Sequence, residues 1–392
     1  MRLFPLFRRV LALALVLLLC ASCAACTRFP ASGAESAPRD TLSPHIPRME
    51  QRYYLNALRG DDLDNVLALY AALDGLEPSV TLPHPADSEQ LRLYLTLLQT
   101  SCPELIHVKF SRSLNYTETN GVVCLQLDSV YFMDRAARDE ALAACRQEVL
   151  ALAEACRPQS AEEQEEFVFR ALVRRCRYDQ SSDAAATAYG ALVLGAAKCD
   201  GVSLAFQWVL EELGLPCLTI MGKDTALDYG HAWNQVELDG SWYNVDLTPS
   251  LHSAGELEQK IPEDLVIFYR FNVSDAFLAD ELEPYTLLDA VAPRPRCESM
   301  DRSYYVLSGQ FVFRSGEVKA PLYAQFARML EDGFSVLQFE DTYDASWVFG
   351  DLEKMLDPWL DENLNEKSQW RCAWYLLNKR VLLLVWEPEA EA

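Results

Sequence analysis

Apolar residues recur at helical spacing in some stretches of the chain and crowd into short β-branched and aromatic runs in others. After Cys199-Asp200-Gly201, the residues Val202, Leu204, Ala205, Val209, Leu210 and Leu213 keep helical spacing, and Gly214 and Pro216 stop the run. This predicts an amphipathic helix of about three turns that starts at Cys199. Ala232–Leu238 and Trp242–Leu247 read as strands around Asp239-Gly240, the favoured pair for a two-residue type I′ hairpin turn. Upstream, residues 48–100 read as helical, with an amphipathic helix opening at Ser88. Ile106–Phe110 and Val122–Leu127 read as strands that bracket a polar loop containing Asn120-Gly121. Asp134–Ala155 is an Ala-rich helix ending near Pro158, and Ser160-Ala-Glu-Glu163 is a capping-box pattern that opens the next.

Pro284–Pro295, with Ala-Pro-Arg-Pro-Arg inside it, marks a boundary. Beyond it Tyr304–Phe313 reads as a hairpin around Ser308-Gly309. A helix at Leu322–Leu330, a strand at Phe334–Phe339, a helix near Phe349–Leu360 and strands at Arg371–Leu377 and Val381–Trp386 follow. The order is βαβαββ-like. The expected fold class is α+β, with an N-terminal α+β extension of helices and a β-hairpin (48–160), a core (161–290) and a small C-terminal α+β accessory domain (297–392). There is no internal repeat and no phosphate-binding glycine loop.

The first residues change the picture. Arg2, Arg8 and Arg9 precede a ten-residue apolar run, Val10–Leu19, which is too short for a stable membrane span and reads as an export signal (1–22). Small residues stand before Cys23 and Cys26, as in bacterial lipoprotein signals, so one of them is the expected lipidation site, with Cys23 preferred. An ordinary cleaved signal or an uncleaved anchor is the alternative. Residues 23–47, rich in Ser, Ala and Pro, read as a flexible tether. The expected location is outside a bacterial cell membrane, held by an N-terminal lipid anchor.

The whole chain carries 34 Lys and Arg against 58 Asp and Glu, and losing the three leader arginines leaves a net charge of −27. Such acidity argues against a nucleic-acid partner. Nine cysteines follow Cys26, and their pairing is not legible from the sequence. With no CxxC among them and no histidine pair at metal spacing, neither a metal site nor a cofactor is expected.

Cys199, His231 and Asp246 supply the thiol, imidazole and carboxylate that a cysteine nucleophile needs. A helix start favours an anion, so a thiol there tends to ionise. If Leu238 pairs with Ser241, Trp233 stands opposite Asp246, and His231, Trp233 and Asp246 share one face. His231 and Asp246 are then diagonal neighbours about 7–8 Å apart at the backbone. A one-residue slip would send Asp246 to the other face. In the resulting scheme Cys199 attacks a carbonyl carbon, His231 moves the proton, and Asp246 orients the imidazole. The Cys199 N–H is a natural oxyanion donor, with Tyr189 and Gln180 as candidates for the second. Trp233 is a candidate cleft wall, whereas Trp242 reads as core.

Three separate motifs carry a family resemblance: Lys198-Cys-Asp-Gly, His231-Ala-Trp-Asn and Gly240-Ser-Trp-Tyr-Asn-Val-Asp-Leu-Thr, with catalytic positions 32 and 15 residues apart. Together with Thr187-Ala-Tyr-Gly-Ala-Leu-Val, Gly214-Leu-Pro-Cys and Tyr178-Asp179, they resemble the core of the transglutaminase-like superfamily of cysteine enzymes. The resemblance implies a papain-like α+β core and acyl transfer through a thioester, with Cys199, His231 and Asp246 falling on the family's triad. Family members often have Trp-Asp after the final Thr; here Pro249-Ser250 follow Thr248, which alters the adjoining loop. The acceptor stays open among peptidase, deamidase and transglutaminase chemistry, with a protein or peptide of the cell envelope as substrate. The alternative is a non-catalytic binding or scaffold module of the envelope. Oligomeric state is not legible.

Overall fold

The computed structural model describes residues 46–119, 121–251, 265–314, 316–363, 370–377 and 379–388. The expected export signal, both lipidation candidates and all but the last two residues of the expected tether lie outside them. Among the described residues no helix is long and apolar enough to cross a membrane.

The helix that begins at Cys199 runs to Leu213. Its stripe of Val202, Ala205, Phe206, Val209 and Leu210 is fully buried. Gly214, at φ +81°, ends it, and the Leu215 N–H closes back onto the Leu210 carbonyl. Gly201 is required at the start, because a Cβ there would lie 2.4 Å from the Ala185 carbonyl oxygen and 2.8 Å from that of Thr187.

In chain order the strands are β1 (Ser79–Thr81), β2 (Asn115–Thr119), β3 (Val122–Gln126), β4 (Arg177–Tyr178), β5 (Ala196–Ala197), β6 (Cys217–Asp224), β7 (Tyr229–Leu238) and β8 (Ser241–Asp246). They continue with β9 (Arg270–Val273), β10 (Leu282–Pro284), β11 (Phe311–Val312), β12 (Phe334–Phe339), β13 (Trp370–Leu377) and β14 (Val381–Pro388). The site is built on the five-stranded sheet β10-β6-β7-β8-β9. All its pairings are antiparallel. Asp239 and Gly240 both have positive φ, as a type I′ turn demands, and Leu238 pairs with Ser241. That is the register the Asp-Gly pair implies. Between β8 and β9 the register slips by one: Asn244 pairs with Val273 but Asp246 with Arg270. Asn272, at φ +56°, sits inside this bulge.

The capping boxes at Asp87/Gln90 and Ser160/Glu163 open the helices Ser88–Ser101 and Ala161–Arg175. Arg135–Cys156 is helical as expected, capped by Asp134. Three expectations are corrected. Residues 48–100 are not all helical, because β1 interrupts them and pairs with β3. Ile106–Phe110 is a run of turns with one isolated bridge, Val108 to Tyr131. The hairpin partner of β3 is instead the polar segment Asn115–Thr119, whose residues are all exposed and so lack an apolar alternation. Finally, Tyr304–Phe313 is a short helix (Tyr304–Leu307) followed by β11, which runs parallel to β12. Tyr305 needs no strand partner there: its ring is buried and its hydroxyl accepts from the Phe268 N–H.

The βαβαββ order persists in the four-stranded sheet β11-β12-β14-β13, with helices Lys319–Asp332 and Thr342–Asn363 between its strands. Leu322, Phe326, Met329, Val348, Leu352 and Leu384 form its core.

Candidate active site

Asp246 is fully buried at the end of β8. Its Oδ2 accepts from His231 Nε2 at 2.8 Å and from Arg270 Nη1 at 2.6 Å, and its Oδ1 accepts from the Thr248 N–H at 2.9 Å. An ionised carboxylate only accepts, so the proton of this pair sits on His231 Nε2. Nδ1 is left for the thiol. Burial opposes ionisation of Asp246, but His231 and Arg270 outweigh it and hold the carboxyl well below the usual range. Burial likewise disfavours the imidazolium, yet the charge and hydrogen bond of Asp246, with hydrogen-bond contact to Cys199, raise the His231 pKa to about 10.

Cys199 occupies the first helical turn with only 5% of its surface exposed. The parallel ribbon β4–β5 leads into it, and the Lys198 N–H bonds the Ala185 carbonyl. Its Sγ–H lies 3.3 Å from Asp200 Oδ1, while Asp200 is paired with Lys198 at 3.1 Å. The structure therefore brings thiol, imidazole and carboxylate together.

The oxyanion candidates are placed differently. Gln180 is exposed and donates from Nε2 to the Tyr178 hydroxyl at 2.8 Å. Tyr189 begins the π-helical segment Gly190–Leu194. Trp233 is 1% exposed, so it is core rather than an open wall. Its ring stacks at 6.1 Å on His231, and its indole donates to Asn244 Oδ1 at 3.2 Å. Trp242 is half-buried and packs edge-on against Tyr53.

Several site residues were not legible beforehand as functional. Tyr178, in β4 just beyond the preceding helix, has its pKa pushed up to about 12 by burial and the nearby Cys199 charge. Tyr229, two residues before His231, is raised by burial and by Asp224, with Cys199 and Asp246 adding to it. Arg270 is the third: a lone charge in the apolar run Phe268–Val273 was its only signal. Among the described residues no group of three or more His, Cys, Asp or Glu side chains is arranged to hold a metal ion. A cavity of about 830 Å³ lies beside β6 and β10, lined by Tyr54, Leu93, Ile220, Met221, Tyr285 and Leu288 among others, and none of the triad residues borders it.

A buried thiol at a helix start, backed by a His–Asp pair on an antiparallel sheet, defines an α+β, papain-like cysteine fold. Within that class, residues 150–247 match the family model of the transglutaminase-like superfamily. Among solved structures, the chain is similar to a TGase at 15% identity and TM-score 0.27, over 46% of this chain and 54% of that one. It is also similar to a candidate cysteine protease from Cytophaga hutchinsonii at 12% identity and TM-score 0.24, over 35% and 61% of the two chains. The chain thus spans little more than half the length of either. No curated protein matches it.

Proposed function

We propose that this protein is an extracytoplasmic cysteine enzyme that attacks amide bonds of envelope proteins or peptides, tethered by a lipid on Cys23 or Cys26. The carrying observation is the pairing of His231 Nε2 with buried Asp246 while the same ring contacts Cys199. With Nε2 held by Asp246, the other ring nitrogen is left to take the proton of the Cys199 thiol as it attacks.

The Cys199 thiolate adds to the amide carbonyl carbon, forming the C–S bond and moving the C=O π pair onto oxygen. The Cys199 N–H at the helix start receives that oxyanion. The Tyr178 hydroxyl already accepts from Gln180, so its own hydrogen is free to donate as well. The C–N bond then breaks as imidazolium Nδ1 protonates the departing amine, leaving a thioester. Neutral His231 next takes a proton from water or an acceptor amine, which attacks the thioester and expels the thiolate. Water is the favoured acceptor because it is always present.

The test has two stages. Iodoacetamide should label Cys199 faster than the other cysteines, and His231→Ala should abolish that preference. Burial pushes the thiols of Cys145 and Cys176 up to about 12 and about 11, and raises those of Cys102, Cys217 and Cys297 further. Uniform labelling would refute the reading. Mass spectrometry of envelope proteins incubated with wild type or Cys199→Ala should then show new termini or deamidated glutamines. New isopeptides would instead establish cross-linking, and identical spectra would speak for a binding module.

A further inference from the structure

We infer that the C-terminal sheet is part of the reacting centre's support: Arg380, in the β13–β14 turn, is a positioning residue that holds the Asp246–His231 pair through Glu281 and Arg270. The inference rests on the reading of Cys199, His231 and Asp246 as the reacting groups.

The links form a line of alternating charge. His231 Nε2 meets Asp246 Oδ2 at 2.8 Å, and Arg270 Nη1 meets the same oxygen at 2.6 Å. Arg270 turns its other side to Glu281, donating from Nη2 at 2.8 Å and from Nε at 3.1 Å to Oε2. Glu281 Oε1 takes the Tyr269 hydroxyl at 2.5 Å and lies 3.3 Å from Arg380 Nε. Arg380 is 2% exposed. It is anchored by the Phe277 carbonyl at 3.0 Å, by Asp280 at 3.2 Å and by the Phe277 ring, 4.7 Å below the guanidinium. Gln338 of β12 also donates to the Tyr269 carbonyl, next to Arg270. Both contacts come from a sheet that supplies no reacting group.

Buried charges are costly unless each is paired. Here Asp246, Arg270 and Glu281 each lie between two partners, so removing the outermost cation propagates inward. Without Arg380, Glu281 draws Arg270 toward itself. Asp246 is then less neutralised, and His231 is held by a carboxylate with one support fewer. Loss of a positive charge also favours the imidazolium and disfavours the thiolate. Both limbs of a pH profile for the ion pair therefore move to higher pH.

The readout is the pH dependence of Cys199 alkylation in the full chain, which needs no substrate. In Arg380→Met the rate constant at pH 7 should fall on the order of three- to tenfold, toward the lower end of the coupling between residues of one network. The profile should shift upward, and Arg380→Lys should restore its position. A folded Arg380→Met variant with the wild-type profile overturns the inference, as does a shift that lysine does not repair. If Arg380→Met fails to fold, Glu281→Gln cuts the same line one link further in. Loss of a negative charge should move its profile to lower pH, and an unchanged profile would be equally fatal. Should wild-type Cys199 itself show no selective reactivity, the proposed function has failed instead, so the two failures are distinguishable.

Discussion

Glu165→Gln should stabilise the protein in alkaline solution and leave it nearly unchanged in acid. Glu165 is fully buried on the helix Ala161–Arg175, and its Oε2 accepts from Asn272 Nδ2 at 2.8 Å. Its Oε1 and Asn272 Oδ1 both lack a hydrogen-bond partner. Two bare acceptors in the core are explained at once if Glu165 is protonated, since its O–H can then serve the Asn272 oxygen. Burial, partly offset by the Asn272 amide and reinforced by Glu162 and Glu166, raises its pKa from 4.5 to about 8. The folded chain thus keeps a proton that the unfolded chain releases, and stability falls as pH rises from about 4.5 through about 8. At about 1.4 kcal/mol per pKa unit, the loss between pH 5 and pH 9 has a ceiling of about 4 kcal/mol.

A glutamine amide keeps the acceptor for Asn272 Nδ2, adds a donor for Oδ1 and does not titrate. Thermal unfolding followed by tryptophan fluorescence should find variant and wild type within about a degree of each other at pH 5. At pH 9 the variant should lead by roughly 5 °C, given the unfolding entropy of a chain this long. A lead that is the same at both pH values would refute the protonated-Glu165 argument. So would a variant that melts earlier than wild type at pH 9.

Other expectations follow from the same contacts. Arg52→Met leaves the buried Glu104 and Glu211 without the guanidinium that meets them at 2.9 and 3.2 Å. It should cost about 3–5 kcal/mol in urea unfolding. Gly201→Ala forces the start of the Cys199 helix off the Ala185 carbonyl, so it should lower stability by about 1–3 kcal/mol and slow Cys199 alkylation as well. In Asp246→Asn the His231 pKa should fall from about 10 toward its ordinary value, and the alkaline limb of the alkylation profile should move down with it. The sign for stability is also fixed. A raised histidine pKa stabilises fully below about 6.5 and is lost as pH rises through about 10, so the wild type should soften over that window and Asp246→Asn should not.

The placement of Cys199, His231 and Asp246 was legible because each is announced by a local pattern. A helical run begins at Cys199, and an Asp-Gly turn fixes the pairing that puts His231 and Asp246 on one face. Both signals act within a few residues, where backbone conformation is decided by the chain's own side chains. Other segments carry no such signal. Ile106–Phe110 alternates apolar and polar residues as a strand would, yet His107 is buried against the Leu73 carbonyl, and alternation alone does not dictate a strand. Asn115–Thr119 is a strand because β3 offers it a ladder, although no face of it is apolar.

The supporting residues were out of reach for a deeper reason. Arg270 faces Asp246 only because β9 slips by one residue at Asn272; without the slip Phe271 would stand there. Asn272 in turn is held by Glu165, more than a hundred residues away in the chain. A second line of polar contacts begins at Asn234 on the opposite face of β7, whose amide lies 3.3 Å from the Thr219 hydroxyl. It passes through Gln207 to Glu211 and Arg52. Hydrophobic burial is non-directional and tolerates a shift of one residue along a strand. A buried carboxylate that needs a particular amide or guanidinium does not. The polar core contacts therefore select, among registers of similar apolar burial, the one in which the imidazole meets its carboxylate. They form only once the whole sheet is assembled, so no window of sequence displays them.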